Sequence, residues 1–244
     1  MDIATLKSKG LLRAVSAPPV AAAGFPFGLG TRGLHEVAEA AYGDRAAMTG
    51  FVLAAARPAQ AGAWLWITQT KFAGDLGQVP EAALRQMTGG APPPRLSLTA
   101  RTLPDVLWAI EEAVVSGVVS LVVAEIEAAD FTATRRLTLA SGRHGVPVVL
   151  LMPPTCEGAT AAATRWRISP RPSAPNRYDP HAPGHPRWRA VLERCRTAPN
   201  AAGTVFDLEW NDETLSLGVV SGLAAGPAAP RPVARETLAR RKAG

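Results

Sequence analysis

Long apolar runs are missing from this 244-residue chain. No stretch approaches the roughly 18 apolar residues that a membrane-spanning helix needs. The first residues lack the apolar block and cleavage pattern of a secretory signal, so the chain is expected in the cytoplasm with no membrane partner. Cysteine is scarce. Cys156 and Cys195 make no disulfide framework, which suits a reducing compartment. Acidic residues thin out late in the sequence. Residues 1–160 carry 13 basic and 13 acidic side chains, whereas residues 161–244 carry 13 basic and 7 acidic, so the whole net charge of +6 lies in the last third. A segregated basic surface points to a polyanion or an acidic partner; the plainer alternative is a basic tail that aids solubility. Hydrophobic residues make up 47% of the chain, enough for a sizeable core.

What is present organises around Leu103 to Ile126. Thr102 suits a helix cap, Pro104 the first turn, and Asp105 the positive helix start. Leu107, Ile110 and Val114 recur at helical spacing, and Gly117 stops the helix. Val118 to Ile126 is almost wholly apolar and β-branched, the pattern of a strand buried on both faces of a parallel sheet. Its carboxyl edge carries Glu125. A nucleoside-triphosphatase places a metal-binding carboxylate there, but the simpler expectation is the first solvated residue after a core strand.

Before this unit, strands are expected at residues 33–37, 63–68 and 95–98, and helices at 2–15, 46–57 and 80–87. After it come a helix capped by Asp130 and stopped by Gly142, and a strand at 146–152. Alternation of this kind predicts an α/β fold, a mostly parallel sheet flanked by helices. Past Pro153-Pro154 the period changes to two. Residues 164–169, 187–196, 204–210 and 214–221 read as an antiparallel continuation of the sheet, with a tight turn at Asn211-Asp212-Glu213. Residues 170–186 hold six prolines and are expected to be a mobile surface loop. The domain boundaries that follow are an N-terminal helix and irregular connection at 1–31, a single domain at 32–221, and a disordered basic tail at 222–244.

Strand, loop with Gly43, then helix is where such a fold places a phosphate loop. A working loop is Gly, four residues, Gly-Lys, then Ser or Thr, so that backbone N–H groups close on the phosphates, the Lys neutralises them and the hydroxyl holds magnesium. Counting from Gly43, Met48 stands for the second Gly, Thr49 for the Lys and Gly50 for the hydroxyl. All three requirements fail; Arg45 is a candidate to supply a charge there, but it stands too early to occupy the lysine's place. Phosphoryl transfer loses its charge partner and its metal ligand together. The chain is therefore expected to be no enzyme and to need no cofactor. No metal site is expected either: Pro183, Gly184 and Pro186 prevent His181 and His185 from aligning on a helix. Neither cysteine has a base at motif spacing.

The positive signal is Arg165-Trp166-Arg167, repeated as Arg187-Trp188-Arg189 and followed by Arg194-Cys195-Arg196. Residues 165–196 hold eight arginines against Asp179 and Glu193. In a strand, the arginines of each triplet share one face and the Trp takes the other. The expectation is a basic stripe of Arg165, Arg167, Arg187, Arg189, Arg194 and Arg196, with Trp166 and Trp188 packed inward, that contacts DNA phosphates or an acidic protein surface. Solvated arginines alternating with core residues are the plain alternative.

These pieces, with Gly33-Leu34-His35-Glu36-Val37, Asp105 to Glu112, Thr134-Arg135-Arg136-Leu137, Ala162-Ala163-Thr164 and Leu208-Glu209-Trp210, resemble the ImuA family over about residues 30–215. The resemblance implies a RecA-like core, with Glu125 where a RecA ATPase has its second nucleotide motif. It also implies a non-catalytic adaptor in the DNA-damage (SOS) response, associated with the nucleoid. The implied partners are ImuB, an inactive relative of Y-family polymerases, and an error-prone C-family polymerase that together copy past lesions, with contact to RecA and to DNA. Two alternatives belong to other classes: a RecA-like ATPase using an unorthodox loop, and a regulator that blocks polymerisation of RecA or of a division protein, as SulA-like inhibitors do.

Overall fold

The computed structural model describes residues 28–56, 61–77, 79–176, 178–179 and 181–220. The expected helix at 2–15, most of the connection at 16–31 and the tail at 222–244 lie outside the described residues.

The helix–strand unit read first from the sequence forms as its residues dictate. Helix α4 spans Leu103–Ser116, its first turn closed by the Thr102 hydroxyl, which accepts from the Asp105 N–H at 3.3 Å. Gly117 ends it in the left-handed region (φ 69°). Strand β4, Val119–Glu125, is buried along its whole length. Around it stand β1 (Leu34–Glu39), β2 (Ala63–Gln69), β3 (Arg95–Ala100) and β5 (Val148–Met152). The remaining helices are α1 (Arg45–Ala55), α2 (Thr70–Leu76), α3 (Glu81–Met87) and α5 (Phe131–His144). The C-terminal strands are β6 (Thr164–Arg171), β7 (Arg187–Cys195), β8 (Val205–Asn211) and β9 (Ser216–Val219).

Among the described residues all these strands join one sheet in the order β3-β2-β4-β5-β1-β6-β7-β8-β9. From β3 to β6 every pairing is parallel, and from β6 to β9 every pairing is antiparallel. The α/β class and the antiparallel C-terminal strands thus stand as read. Strand β6 has a dual role that period-two alternation does not reveal: it runs parallel to β1 and antiparallel to β7.

Two cores sit on opposite faces of the sheet. Helices α1 and α3 cover one, which collects Met48, Phe51 and Leu84 with five of the six tryptophans: Trp64, Trp66, Trp166, Trp188 and Trp210. Helices α4 and α5 cover the other, against Leu34, Val122, Val148 and Leu150. Among the described residues the outer face of β7 and β8 carries mainly polar side chains, Arg187, Arg189 and Glu193 on β7 and Asp207 and Glu209 on β8.

One expectation needs correction, and two further features lie beyond the sequence reading. Helix α5 does not stop at Gly142. It runs to His144 and ends at Gly145 (φ 74°), because Ser141 is held on the core side, its hydroxyl donating to the Val146 carbonyl and accepting from the Gly33 N–H at 2.7 Å. The short α2 was not anticipated, since Thr70–Leu76 has no apolar period and no capping side-chain bond. The proline-rich segment, read as a surface loop, is anchored at Ala174. Ala174 is buried, its N–H donates to the His185 carbonyl at 2.9 Å, and its own carbonyl accepts from the Gly184 N–H at 3.1 Å. A Cβ on Gly184 would fall 2.2 Å from that carbonyl oxygen, so the closure needs glycine.

Candidate functional site

The carboxyl ends of β1 and β4 and the start of α1 meet where a phosphate loop would lie. The connection from Glu39 to Arg45 is only Ala40–Asp44. It is tied by the Asp44 carboxylate, which accepts from the Ala41 N–H at 3.0 Å. Gly43 takes φ 103° and donates its N–H to the Glu39 carboxylate at 3.2 Å. Arg45 Nε lies 2.8 Å from the other Glu39 oxygen, and Arg45 Nη1 lies 3.6 Å from Glu125 Oε2. The Arg45 guanidinium stacks 4.7 Å above the Phe72 ring. The anion at this helix start is therefore the protein's own. A backbone N–H of the loop and the nearest guanidinium, the donors that a phosphate would use, are both turned to Glu39.

Glu125 is buried, not solvated as the simpler expectation held. The Trp66 indole N–H donates to its Oε1 at 2.7 Å. Burial pushes the carboxyl pKa up, Trp66 and Arg45 draw it down, and Glu39 adds to the rise. Arg45, too early in sequence to take the place of a P-loop lysine, supplies a charge here: it is the cation between the two strand-end acids. The other loop positions scatter. Met48 is a fully buried core residue, Thr49 lines the groove beside the loop, and Gly50 packs against Trp188, where a Cβ would stand 3.3 Å from the ring. The groove holds about 980 Å³ and runs from Glu39 and Glu125 along α1 to Met87 and Trp188. Sequence reasoning missed Glu39 and the pairing of Arg45 with it. Their signal was an acid closing one central strand, a second acid closing another, and an arginine opening the helix between them.

The Arg-Trp-Arg triplets fold with the expected alternation. Trp166 and Trp188 are buried, Trp166 in tilted contact with Phe51 and Phe206 at 6.1 and 5.9 Å between centroids. Their arginines share the opposite face, but each meets a carboxylate. Arg165 donates to Glu36 at 2.7 Å. Burial opposes the Arg165 charge, yet Glu36 outweighs it and holds the guanidinium pKa above its ordinary value. Arg167 pairs with Glu193 and donates to the Pro154 carbonyl at 2.8 Å. Arg187 donates to Glu209 at 2.6 Å, and Arg189 grips Asp207 through two bonds of 3.0 and 3.1 Å, holding that carboxyl below its usual range. Arg187–Glu209 and Arg189–Asp207 are directly opposed across the antiparallel β7–β8 pair, and Arg165–Glu36 across the parallel β1–β6 pair. The face is a ladder of matched charges, whereas Arg194 and Arg196 are exposed and have no carboxylate partner among the described residues. Burial pushes the Cys156 thiol pKa up, which disfavours the reactive thiolate, and Cys195 is buried in the tryptophan-rich core.

No family model matches the chain. The protein named ImuA from Caulobacter vibrioides, in strain NA1000 / CB15N and again in strain ATCC 19089 / CIP 103742 / CB 15, is 40% identical to it over 118 residues. The match covers 44% of this chain and 48% of each relative. Over that stretch the chain is similar to ImuA. It spans about half the length of the curated relatives it matches. The pieces that carry the ImuA resemblance bind one another in the fold. Glu36 of β1 takes Arg165 of β6 and the Thr160 hydroxyl, the Thr134 hydroxyl of α5 accepts from the Ala161 N–H, and Glu209 of β8 takes Arg187 of β7. Among the described residues no helix is long and apolar enough to cross a membrane.

Proposed function

We propose that the chain is a non-catalytic adaptor in DNA-damage-induced translesion synthesis and mutagenesis. It links an ImuB-like Y-family polymerase homologue to an error-prone C-family polymerase, with further contacts to RecA and DNA. The observation that carries the non-catalytic part is the Glu39–Arg45–Glu125 cluster. The Glu39 carboxylate accepts the Gly43 N–H and ion-pairs with Arg45, so it holds the place a phosphate would take, although Arg45 Nε and Nη1 and Glu125 Oε2 make no hydrogen bond among the described residues. The template positions for the lysine and the magnesium hydroxyl hold Thr49 and Gly50, and Lys71, which lines the same groove, is paired with Glu127. The similarity to ImuA supports the pathway, and the mostly parallel sheet flanked by helices fits the RecA-like core that the resemblance implies.

The first test is equilibrium binding of a labelled ATP analogue with magnesium, with and without single-stranded DNA. No saturable binding is expected at high micromolar protein. Saturable, magnesium-dependent binding would overturn the non-catalytic reading and make loss of turnover in Glu125→Ala the next measurement. The adaptor role is tested by co-expression with the ImuB-like homologue and the C-family polymerase: a three-way complex on a sizing column is expected. Co-purification with RecA alone would instead favour a regulator of RecA polymerisation.

A further inference from the structure

Four segments meet at the sheet edge opposite the phosphate loop. They are the entry to β1 (residues 28–33), the turn from α5 to β5 (141–147), the entry to β6 (161–164) and the exit from β7 (194–204). Short bonds join them. The Gly33 N–H donates to Ser141 Oγ at 2.7 Å, Val148 N–H to the Gly33 carbonyl at 3.0 Å, Ala163 N–H to Leu34 at 2.7 Å and Arg196 N–H to Ala163 at 2.8 Å.

These segments carry Arg32, Arg143, His144, Arg194 and Arg196, and not one acidic residue. All five are exposed. The four arginines have no ion pair among the described residues, unlike the matched arginines of the ladder. Much of the rest is Gly, Ala and Thr, so an extended polyanion can come close to the backbone. Gly30, Gly33 and Gly145 hold positive φ at the turns themselves. From β5 across β1 and β6 to β7 is three strand spacings, about 14 Å. That matches the rise of about four successive phosphates on one strand of duplex DNA at 3.4 Å each.

We propose that this edge binds the phosphate backbone of a nucleic acid through Arg32, Arg143, Arg194 and Arg196. The inference rests on the reading of the chain as a factor that works at damaged DNA. It moves the contact from the Arg-Trp-Arg pairs to the unmatched arginines. Four matched acids neutralise the ladder, and stripping a carboxylate from any of those arginines costs what a phosphate would return. The edge arginines have no such cost.

The experiment is fluorescence anisotropy of the full chain with a labelled single-stranded oligonucleotide at several salt concentrations. Four contacts predict a log–log slope of about −3 and a loss of affinity of about fiftyfold between about 50 and 200 mM salt. Removing two contacts with Arg194→Gln/Arg196→Gln should bring the slope to about −1.4. Both residues are exposed, so the far-UV spectrum and urea midpoint should stay unchanged. Absence of binding at the lowest salt, or an unchanged slope in the double variant, would overturn the proposal. So would loss of binding in Arg187→Gln/Arg189→Gln instead, which would return the contact to the ladder. Equal, variant-sensitive binding to poly-glutamate would assign the edge to an acidic protein. None of these results touches the three-way complex, so failure here and failure of the adaptor reading are separable.

Discussion

Arg45 illustrates how little a residue's type says without its neighbours. A loop template looks for lysine at one spacing and finds Thr49; the fold brings an arginine to the same end of the sheet and gives it two carboxylates. His35 is the sharper case for measurement. It is buried, with Nδ1 2.8 Å from the Thr164 hydroxyl, and burial lowers its pKa from 6.5 to about 4, the Arg32 carbonyl opposing in part. The unfolded chain therefore takes up this proton at higher pH than the folded one. Stability from the neutral ring is fully present above pH 6.5 and is lost as pH falls toward 4, by about 1.4 kcal/mol per pH unit and about 3 kcal/mol in all. Urea denaturation at pH 7 and pH 4.5 should show His35→Gln losing much less stability between the two than the natural chain does. An equal loss in both would mean that His35 is not what titrates.

At the scale of the element, caps were legible and helix ends less so. Thr102, Gly117 and Asp130 perform as local chemistry requires, because each acts on backbone groups within three residues. Gly142 misled because a glycine inside a helix looks like a stop until the anchoring of Ser141 is seen. The two glycines at this end should respond with opposite sign. Gly142→Ala has open space and helical geometry, so it should stabilise by about 1 kcal/mol. Gly145→Ala must enter the left-handed region and should destabilise by about 1–2 kcal/mol. Thermal melts of the two variants decide it, and a shared sign would move the helix end. The direction of β6 could not be read, since alternation gives the face of each side chain and is blind to which neighbour a strand pairs with.

At the scale of the whole molecule, one sheet carries both cores, and β1 and β6 bridge its parallel and antiparallel halves through five paired positions. The halves have no separate core: Trp166, Trp188 and Trp210 lie in the same cluster as Phe51 and Val123. Unfolding should therefore be a single cooperative event. Tryptophan emission reports mainly the core under α1 and α3, because Trp108 is the one exposed tryptophan, at 65%. Its urea transition should coincide with that of far-UV circular dichroism. Separate midpoints would show that the antiparallel half unfolds on its own.

By itself the sequence determined the alternation of strands and helices, the buried β4, the caps, the inward tryptophans and the departure of Gly43 to Gly50 from the phosphate-loop template. These follow from periodicity, from short-range hydrogen bonding and from residue identity at fixed spacing. Tertiary structure alone decided where charge ends up. Glu36 and Arg165 are 129 positions apart and Glu39 and Glu125 are 86 apart, yet the sheet makes the first two ion-pair partners and sets the other two on either side of Arg45. A count of arginines cannot say which of them a carboxylate already holds. Only the register of β1, β6, β7 and β8 separates the matched arginines of the ladder from the unmatched ones at the edge.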